Sequence, residues 1–171
     1  MTAKLVILII ASYTIGNISP STILARSRGI DIKAAGSGNA GTTNALRVLG
    51  PKAALITLIV DIGKGFLPAA VAMKLLGLPW AGLCALAVFA GHVWPVFLRF
   101  RGGKGVAAAF GAILAIDWRI ALICLAAAAV IVLVSRMVSL GSVSAAFSGT
   151  LFFHERKNAD KRHNNGGYTH F

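Results

Sequence analysis

Six apolar runs divide this chain, and the three long ones can each form a membrane-spanning helix, which needs roughly 20 apolar residues. With 57% hydrophobic residues and a mean hydropathy of +0.78, the chain is too apolar for a soluble domain. We therefore predict an all-α polytopic membrane helix bundle over residues 1–153, followed by a polar, disordered tail over residues 154–171. The long runs are residues 5–25, 53–78 and 80–98, and the short runs are residues 106–116, 120–134 and 143–153.

Basic residues mark one side of the predicted membrane. The chain has 17 lysines and arginines against 5 acidic residues, which gives a net charge of +12. Cytoplasmic loops of membrane proteins are rich in lysine and arginine, whereas nucleic-acid binding would need a soluble basic face. We predict that three basic junctions face the cytoplasm, that the N-terminus lies outside, and that the chain binds no nucleic acid. These junctions carry Arg26, Arg28, Lys33, Arg47 and Lys52, then Arg99, Arg101 and Lys104, and finally Arg136, whereas Lys74 and Arg119 lie in the intervening junctions.

The second basic junction contains a glycine-rich stretch, residues 92–105. Gly102 and Gly103 can bring backbone N–H groups close to an anion. A helix that begins near Lys104 would add its positive N-terminal dipole to the lysine charge. Lys104 is not followed by the serine or threonine of a Walker P-loop, so this is a different kind of phosphate site. The alternative interpretation is a basic interfacial turn between two membrane helices.

The first basic junction contains the densest polar run of the chain, residues 36–47. A short helix that begins near Thr42 or Thr43, capped by a side-chain oxygen, would form a second anion site. Arg47 could then bind a phosphate through its two-pronged guanidinium. A surface loop without a ligand is the alternative.

Three further polar features lie within or beside apolar runs. Asp61 and Lys64 are three residues apart, so they share one helix face and are expected to pair in the bundle interior. His92 lies at the polar end of the third run, where it is either a structural hydrogen-bonding residue or a proton acceptor. Ser142 belongs to the third polar junction, residues 135–142. Serine in membrane helices usually bonds its own backbone, so Ser142 alone is a modest signal.

Taken together, the ordered motifs resemble the bacterial acyl-phosphate:glycerol-3-phosphate acyltransferases over residues 5–146. The resemblance implies a bacterial inner-membrane enzyme with seven membrane helices and a site facing the cytoplasm. It would transfer the acyl group of acyl phosphate to the 1-hydroxyl of glycerol 3-phosphate, giving 1-acylglycerol 3-phosphate and phosphate, without a cofactor or metal. The motifs are residues 37–44 with Arg47, residues 61–65, residues 91–95 with 100–105, and residues 138–142.

The resemblance also indicates which residues act. We hypothesise that acyl phosphate is held by the first junction and the glycine-rich stretch, and that glycerol 3-phosphate is positioned by Arg47, Asn44 and Ser142. The hydroxyl proton passes to a phosphate oxygen of the substrate or to His92. A histidine–aspartate acyltransferase is disfavoured, because Phe97 stands where the aspartate would be. The candidate catalytic residues are Lys104, Ser37, Arg47 and His92, and the candidate substrate-binding residues are Gly38, Asn39, Thr43, Asn44, Gly102, Gly103 and Ser142.

The C-terminal part departs from the family pattern, in which two more membrane helices and an Arg-His-x-x-Asn segment follow the serine motif. After the serine motif of this chain, only residues 143–153 are apolar. Residues 162–165 weakly resemble the Arg-His-x-x-Asn segment. We expect about five to six membrane helices and leave the oligomeric state open. The competing hypotheses are an inactive, shortened family member and a transporter of a phosphorylated solute. Because no internal repeat is visible and the polar motifs share one predicted side, the enzyme is favoured.

Overall fold

The computed structural model describes residues 2–135, which form seven α-helices, one short 3₁₀ helix and no β-strand. The predicted all-α class is therefore confirmed. Ser142, the apolar run 143–153 and the tail 154–171 lie outside the described residues. The helices are α1 (Thr2–Gly16), α2 (Pro20–Arg26), α3 (Thr42–Leu49), α4 (Pro51–Leu76), α5 (Leu78–Val93), α6 (Val106–Ile116) and α7 (Trp118–Ser135), with the 3₁₀ helix Val96–Leu98 between α5 and α6.

The chain divides into two units, Met1–Trp118 and Arg119–Phe171. The first unit contains α1 to α6 and both of the polar motifs that the structure describes. In the second unit the described residues belong to α7, an apolar helix that corresponds to the predicted run 120–134.

Two stretches, Pro51–Leu76 and Leu78–Leu98, are long and apolar enough to cross a membrane. The pair formed by α1 and α2 counts as a third if it is one broken span, since the two helices bend by 41° at a short break. Helix α6 and the first part of α7 are shorter apolar helices. Each predicted run within residues 2–135 overlaps at least one helix, and α6 has the predicted bounds, residues 106–116. The run 5–25 is split between α1 and α2, and the run 80–98 leaves α5 after Val93 and ends in the 3₁₀ helix.

The break between α1 and α2 follows from local chemistry. Pro20 begins α2, where its missing N–H is no loss, because the first N–H groups of a helix have no intrahelical partner. Before the break, the side-chain amide of Asn17 donates to the carbonyl oxygen of Tyr13 at 2.7 Å. The backbone N–H of Asn17 donates to the same oxygen at 3.1 Å, so this carbonyl at the end of α1 accepts two hydrogen bonds.

The buried face of helix α4 carries small and polar residues, and its exposed face carries large apolar residues. Its buried positions recur every three or four residues, which is the spacing of one helix face. Large apolar side chains on the other face are exposed, as expected for a helix that packs through small residues and faces lipid. The buried face consists of Ala53, Ala54, Thr57, Asp61, Lys64, Gly65, Pro68, Ala69 and Ala72, and the exposed face includes Leu55, Ile59, Leu67, Val71 and Leu75.

Glycines let the helices of the first unit cross closely. A Cβ on Gly16 of α1 or on Gly91 of α5 would collide with the backbone of the other helix. The same holds for Gly65 of α4 and Gly111 of α6, which face Ala108 and Ile62. These contacts match the small-residue packing of membrane helices.

A buried ion pair connects α4 to the break between α1 and α2. Lys64 Nζ lies 2.7 Å from Asp61 Oδ1 and donates to the carbonyl oxygen of Ile18 at 2.5 Å. Both charged side chains are at most 3% exposed. The expected interior pair is thus formed, and it also supplies a donor to a carbonyl of the broken helix.

Candidate functional site

The first two polar motifs meet at one place in the first unit. Lys33, in the loop between α2 and α3, donates from Nζ to the carbonyl oxygen of Gly102 at 2.6 Å. The two loops also approach each other at Ala40 and Gly103. A Cβ added to Gly103 would lie only 2.9 Å from the carbonyl oxygen of Ala40. The structure therefore brings together the loop over residues 27–41 and the glycine loop, defined here as residues 99–105.

The glycine loop covers the C-terminal end of α5. Gly102 N–H donates to Val93 O at 3.2 Å, and Gly103 N–H donates to His92 O at 3.1 Å. The last carbonyls of a helix have no intrahelical partner, so these bonds satisfy the end of α5. The expectation that the two glycine N–H groups bind phosphate is therefore wrong, because both groups are already used.

Close packing explains why glycine occupies both positions. A Cβ on Gly102 would collide with the carbonyl oxygens of His92 and Val93, and one on Gly103 would collide with His92 Nε2. The chain turns back toward α5 through Arg99 and Phe100, which both have left-handed backbone conformations, with φ of 53° and 61°. Such conformations are unfavourable for residues with a Cβ, by about 1–2 kcal/mol each.

Substitution of Gly102 by alanine tests this packing. We expect Gly102→Ala to lower stability by about 1–3 kcal/mol, because the new methyl group has no room beside two backbone oxygens. Thermal unfolding in detergent would measure the loss. Gly82→Ala in α5 is the matched control, because a Cβ there meets nothing within 4 Å. Equal melting temperatures for both variants would contradict the close packing.

His92 is buried beneath the glycine loop. It is 5% exposed, its Nδ1 lies 3.6 Å from Asp61 Oδ1, and its Nε2 is beside Gly103. The distance of 3.6 Å between His92 Nδ1 and Asp61 Oδ1 is too long for a hydrogen bond. The arrangement supports the structural interpretation of His92 over that of a solvent-facing proton acceptor.

Lys104 stands exposed just before α6. Gly105 caps α6 with φ of 78°, and the helix begins at Val106, close to the predicted start near Lys104. The N-terminal dipole of α6 and the lysine charge therefore lie together, as the sequence predicted. They remain a candidate anion site after the two glycine N–H groups are excluded.

Helix α3 supplies the second candidate anion site. It begins at Thr42, as predicted, but its N-cap residue is Gly41 and no side-chain oxygen caps it, so that part of the prediction is wrong. Thr43 and Arg47 are both exposed and are four residues apart, which places them on one helix face. Ser37 is also exposed, in the loop before the helix.

Asn44 is a scaffold residue of this loop. It is fully buried, and its amide nitrogen donates to the carbonyl oxygens of Ile32 and Ala35 at 3.3 and 3.1 Å. Its Oδ1 accepts from the backbone N–H of Ser37 at 2.8 Å. The expectation that Asn44 contacts substrate is corrected, because the side chain has no exposed surface to offer a ligand.

Gly38 and Asn39 shape the turn before α3. Gly38 has φ of 68°, and its N–H donates to the carbonyl oxygen of Ala35 at 3.1 Å. Asn39 is half-buried, and its side-chain nitrogen lies near Gly41. Their assignment as substrate-binding residues remains a hypothesis.

Lys33 is a site residue that the motif analysis missed. Its sequence position marks it only as one of the basic residues of its loop, shortly before the polar run 36–47. Burial and the nearby charge of Arg101 lower the pKa of Lys33, against a smaller opposing effect of Asp31. The available signal was a lysine three positions before the first glycine of the polar run 36–47.

An open cavity of about 340 Å³ lies at the break between α1 and α2. Half of its lining residues are apolar, and Arg26 adds an exposed guanidinium. The 3₁₀ helix that leads into the glycine loop forms one wall. The lining residues are Thr14, Ile15, Asn17, Ile18, Ser19, Thr22, Ile23, Arg26, Phe97 and Leu98.

Comparison with known proteins gives concordant results. Residues 6–158 match the family model described as glycerol-3-phosphate acyltransferase. A glycerol-3-phosphate acyltransferase of Clostridioides difficile is 46% identical over 145 residues, which cover 81% of this chain and 71% of that protein. One from Aquifex aeolicus is 40% identical over 151 residues, covering 87% of this chain and 79% of the relative.

Solved structures extend the similarity to the fold. The glycerol 3-phosphate form of PlsY (YgiH), an integral membrane glycerol 3-phosphate acyltransferase, aligns with a TM-score of 0.86 at 37% identity. The alignment covers 90% of this chain and 78% of that structure. The lysophosphatidic acid form aligns with a TM-score of 0.83 at the same identity. These matches confirm the predicted membrane helix bundle and the predicted family.

Proposed function

The chain belongs to the glycerol-3-phosphate acyltransferase family, and from this premise we propose that it transfers an acyl group from acyl phosphate to glycerol 3-phosphate. The observation that carries the proposal is the meeting of two loops that each end in a positive helix N-terminus. Both substrates have a phosphate group, and each loop offers a place for one.

Acyl phosphate is assigned to the side of Lys104. The lysine charge and the N-terminal dipole of α6 stabilise the negative charge that grows on the leaving phosphate. Ser37 and Thr43 supply hydroxyl donors from the neighbouring loop. Acyl phosphate is already activated, so stabilising its leaving group accounts for much of the required rate.

Glycerol 3-phosphate is assigned to the side of Arg47. A guanidinium can bind two phosphate oxygens at once, which fixes the orientation of the substrate as well as its position. Ser142, which lies outside the described residues, keeps its assignment as a second contact. A phosphate held in this way would leave the 1-hydroxyl free to approach the acyl carbon.

The transfer exchanges one carbon–oxygen bond for another and moves one proton. The 1-hydroxyl oxygen attacks the acyl carbon, the bond between that carbon and the phosphate oxygen breaks, and inorganic phosphate leaves. The hydroxyl proton passes to an oxygen of the leaving phosphate. The burial of His92 beneath the glycine loop supports this route over proton transfer to histidine.

The acyl chain is assigned to the apolar cavity at the break between α1 and α2. Ile18, Ile23 and Phe97 line it, and all three are exposed on the outer surface of the first unit. A donor chain could therefore enter from the lipid while its phosphate stays at the loops. The basic residues of these loops support a site on the cytoplasmic side of the bacterial inner membrane.

Phosphate release from palmitoyl phosphate tests the proposal. In lipid nanodiscs, release should depend on glycerol 3-phosphate and should yield one lysophosphatidic acid for each phosphate. Palmitoyl-CoA in place of palmitoyl phosphate should give no product. Release that does not respond to glycerol 3-phosphate, or equal use of the thioester, would contradict the proposed reaction.

A further inference from the structure

The contact between Lys33 and Gly102 joins two loops that are 69 residues apart in the sequence. At 2.6 Å it is a short, charge-assisted hydrogen bond, and such bonds are roughly twice as strong as neutral ones. One loop leads to Thr43 and Arg47 on α3. The other leads to Lys104 at the start of α6. The bond therefore connects the two proposed phosphate sites.

The glycine loop is held at α5 by bonds that do not involve Lys33. The N–H groups of Gly102 and Gly103 donate to Val93 O and His92 O, and the N–H of Phe100 donates to Pro95 O. The first loop has its own support in the three hydrogen bonds of the buried Asn44. Each loop is thus folded by its own contacts, and the Lys33 bond adds a link between them.

The surroundings of Lys33 disfavour its positive charge. Partial burial and the neighbouring Arg101 both lower the pKa of Lys33, and only Asp31, whose Oδ1 accepts the backbone N–H of Lys33, opposes this. Two cations beside each other favour the approach of an anion. A phosphate bound at the glycine loop would offset their repulsion.

We propose that Lys33 is a positioning residue that fixes the distance between the two phosphate sites by holding the carbonyl oxygen of Gly102. This inference rests on the proposed function. Lys33 acts through the backbone of the glycine loop and does not itself touch the reacting atoms. Its role is to align the glycerol hydroxyl with the acyl carbon once both substrates are bound.

Alignment has a kinetic signature that differs from binding. A displacement of about 1 Å between reacting groups can slow a reaction 10²-fold, while each separate phosphate site keeps its own contacts. For Lys33→Met we therefore expect kcat to fall by about 10- to 100-fold, with KM for each substrate changed by less than about threefold. Lys52→Met, at an exposed lysine in the first turn of α4, is the matched control and should behave like the wild type.

The pH profile of a second variant provides an independent test. Because the pKa of Lys33 is lowered, its proton is lost at a lower pH than that of an ordinary lysine, and the link weakens as pH rises. Arginine stays charged throughout this range. We expect Lys33→Arg to keep at least about a tenth of wild-type kcat and to extend activity to higher pH. An unchanged alkaline limb would count against the role of this charge.

The separation of the loops can also be measured without turnover. Spin labels on Ala34→Cys and Arg99→Cys, both exposed positions, report the distance between the loops once Cys84 and Cys124 are replaced by alanine. Lys33→Met should broaden and lengthen this distance distribution, and Lys33→Arg should leave it close to the wild-type distribution.

The outcomes separate the two proposals. If the wild type shows no release dependent on glycerol 3-phosphate, the proposed function fails, while the label distances still test the link. If Lys33→Met keeps both the wild-type distance and the wild-type kcat, the positioning role is wrong. A large rise in KM for one substrate at constant kcat would mean that Lys33 binds that substrate directly, which also overturns the inference.

Discussion

Replacing Lys104 by alanine should reduce glycerol 3-phosphate-dependent phosphate release by about 10²–10³-fold, the loss typical of one removed donor to a developing negative charge. The N-terminal dipole of α6 remains in the variant, but the full positive charge beside the leaving phosphate is gone. Lys104 is exposed and precedes the helix, so the loss should appear in the rate of the folded variant. Initial rates in nanodiscs, together with the melting temperature, measure both effects.

Lys74→Ala is the control for this loss. Lys74 is also an exposed lysine, but it lies in the last turn of α4 and in a different predicted junction from Lys104. Its removal should change the rate by less than about twofold, as is usual for surface substitutions away from a site. Wild-type activity in Lys104→Ala would overturn the assignment of the acyl-phosphate site.

Replacing Lys64 by methionine should cause the largest loss of stability, about 3–5 kcal/mol, because it leaves the buried carboxylate of Asp61 without its partner. It also removes the donor to the carbonyl oxygen of Ile18 at the break between α1 and α2. Both effects destabilise the junction of these helices with α4. Unfolding in mixed micelles, followed by circular dichroism, would report the change in the free energy of unfolding.

The double variant Asp61→Asn/Lys64→Met identifies the cause. Removing both charges avoids an unpaired ion in the interior, so the double variant should be more stable than Lys64→Met alone. Lys74→Met, at an exposed position on the same helix, should change stability by less than about 0.5 kcal/mol. If Lys64→Met were as stable as this control, the buried pair would have no structural role.

The helical framework was predictable because it depends on local pattern. The apolar run 106–116 coincides with α6, and the run 53–78 lies two residues from α4 at each end. The pairing of Asp61 with Lys64 followed from their spacing along a helix, and α3 begins at Thr42 as predicted.

The sequence alone therefore determined where the apolar helices lie and which family the chain belongs to, because apolar run length and motif order are properties of the chain itself. The tertiary structure decided which polar groups are already occupied. The N–H groups of Gly102 and Gly103 donate to carbonyl oxygens at the end of α5, and the side chain of Asn44 forms its hydrogen bonds within its own loop. The side chain of Lys33 donates to Gly102, which is 69 residues away in the sequence. The physical reason is that a hydrogen-bond donor has few partners, and which partner it finds depends on the three-dimensional packing of distant segments.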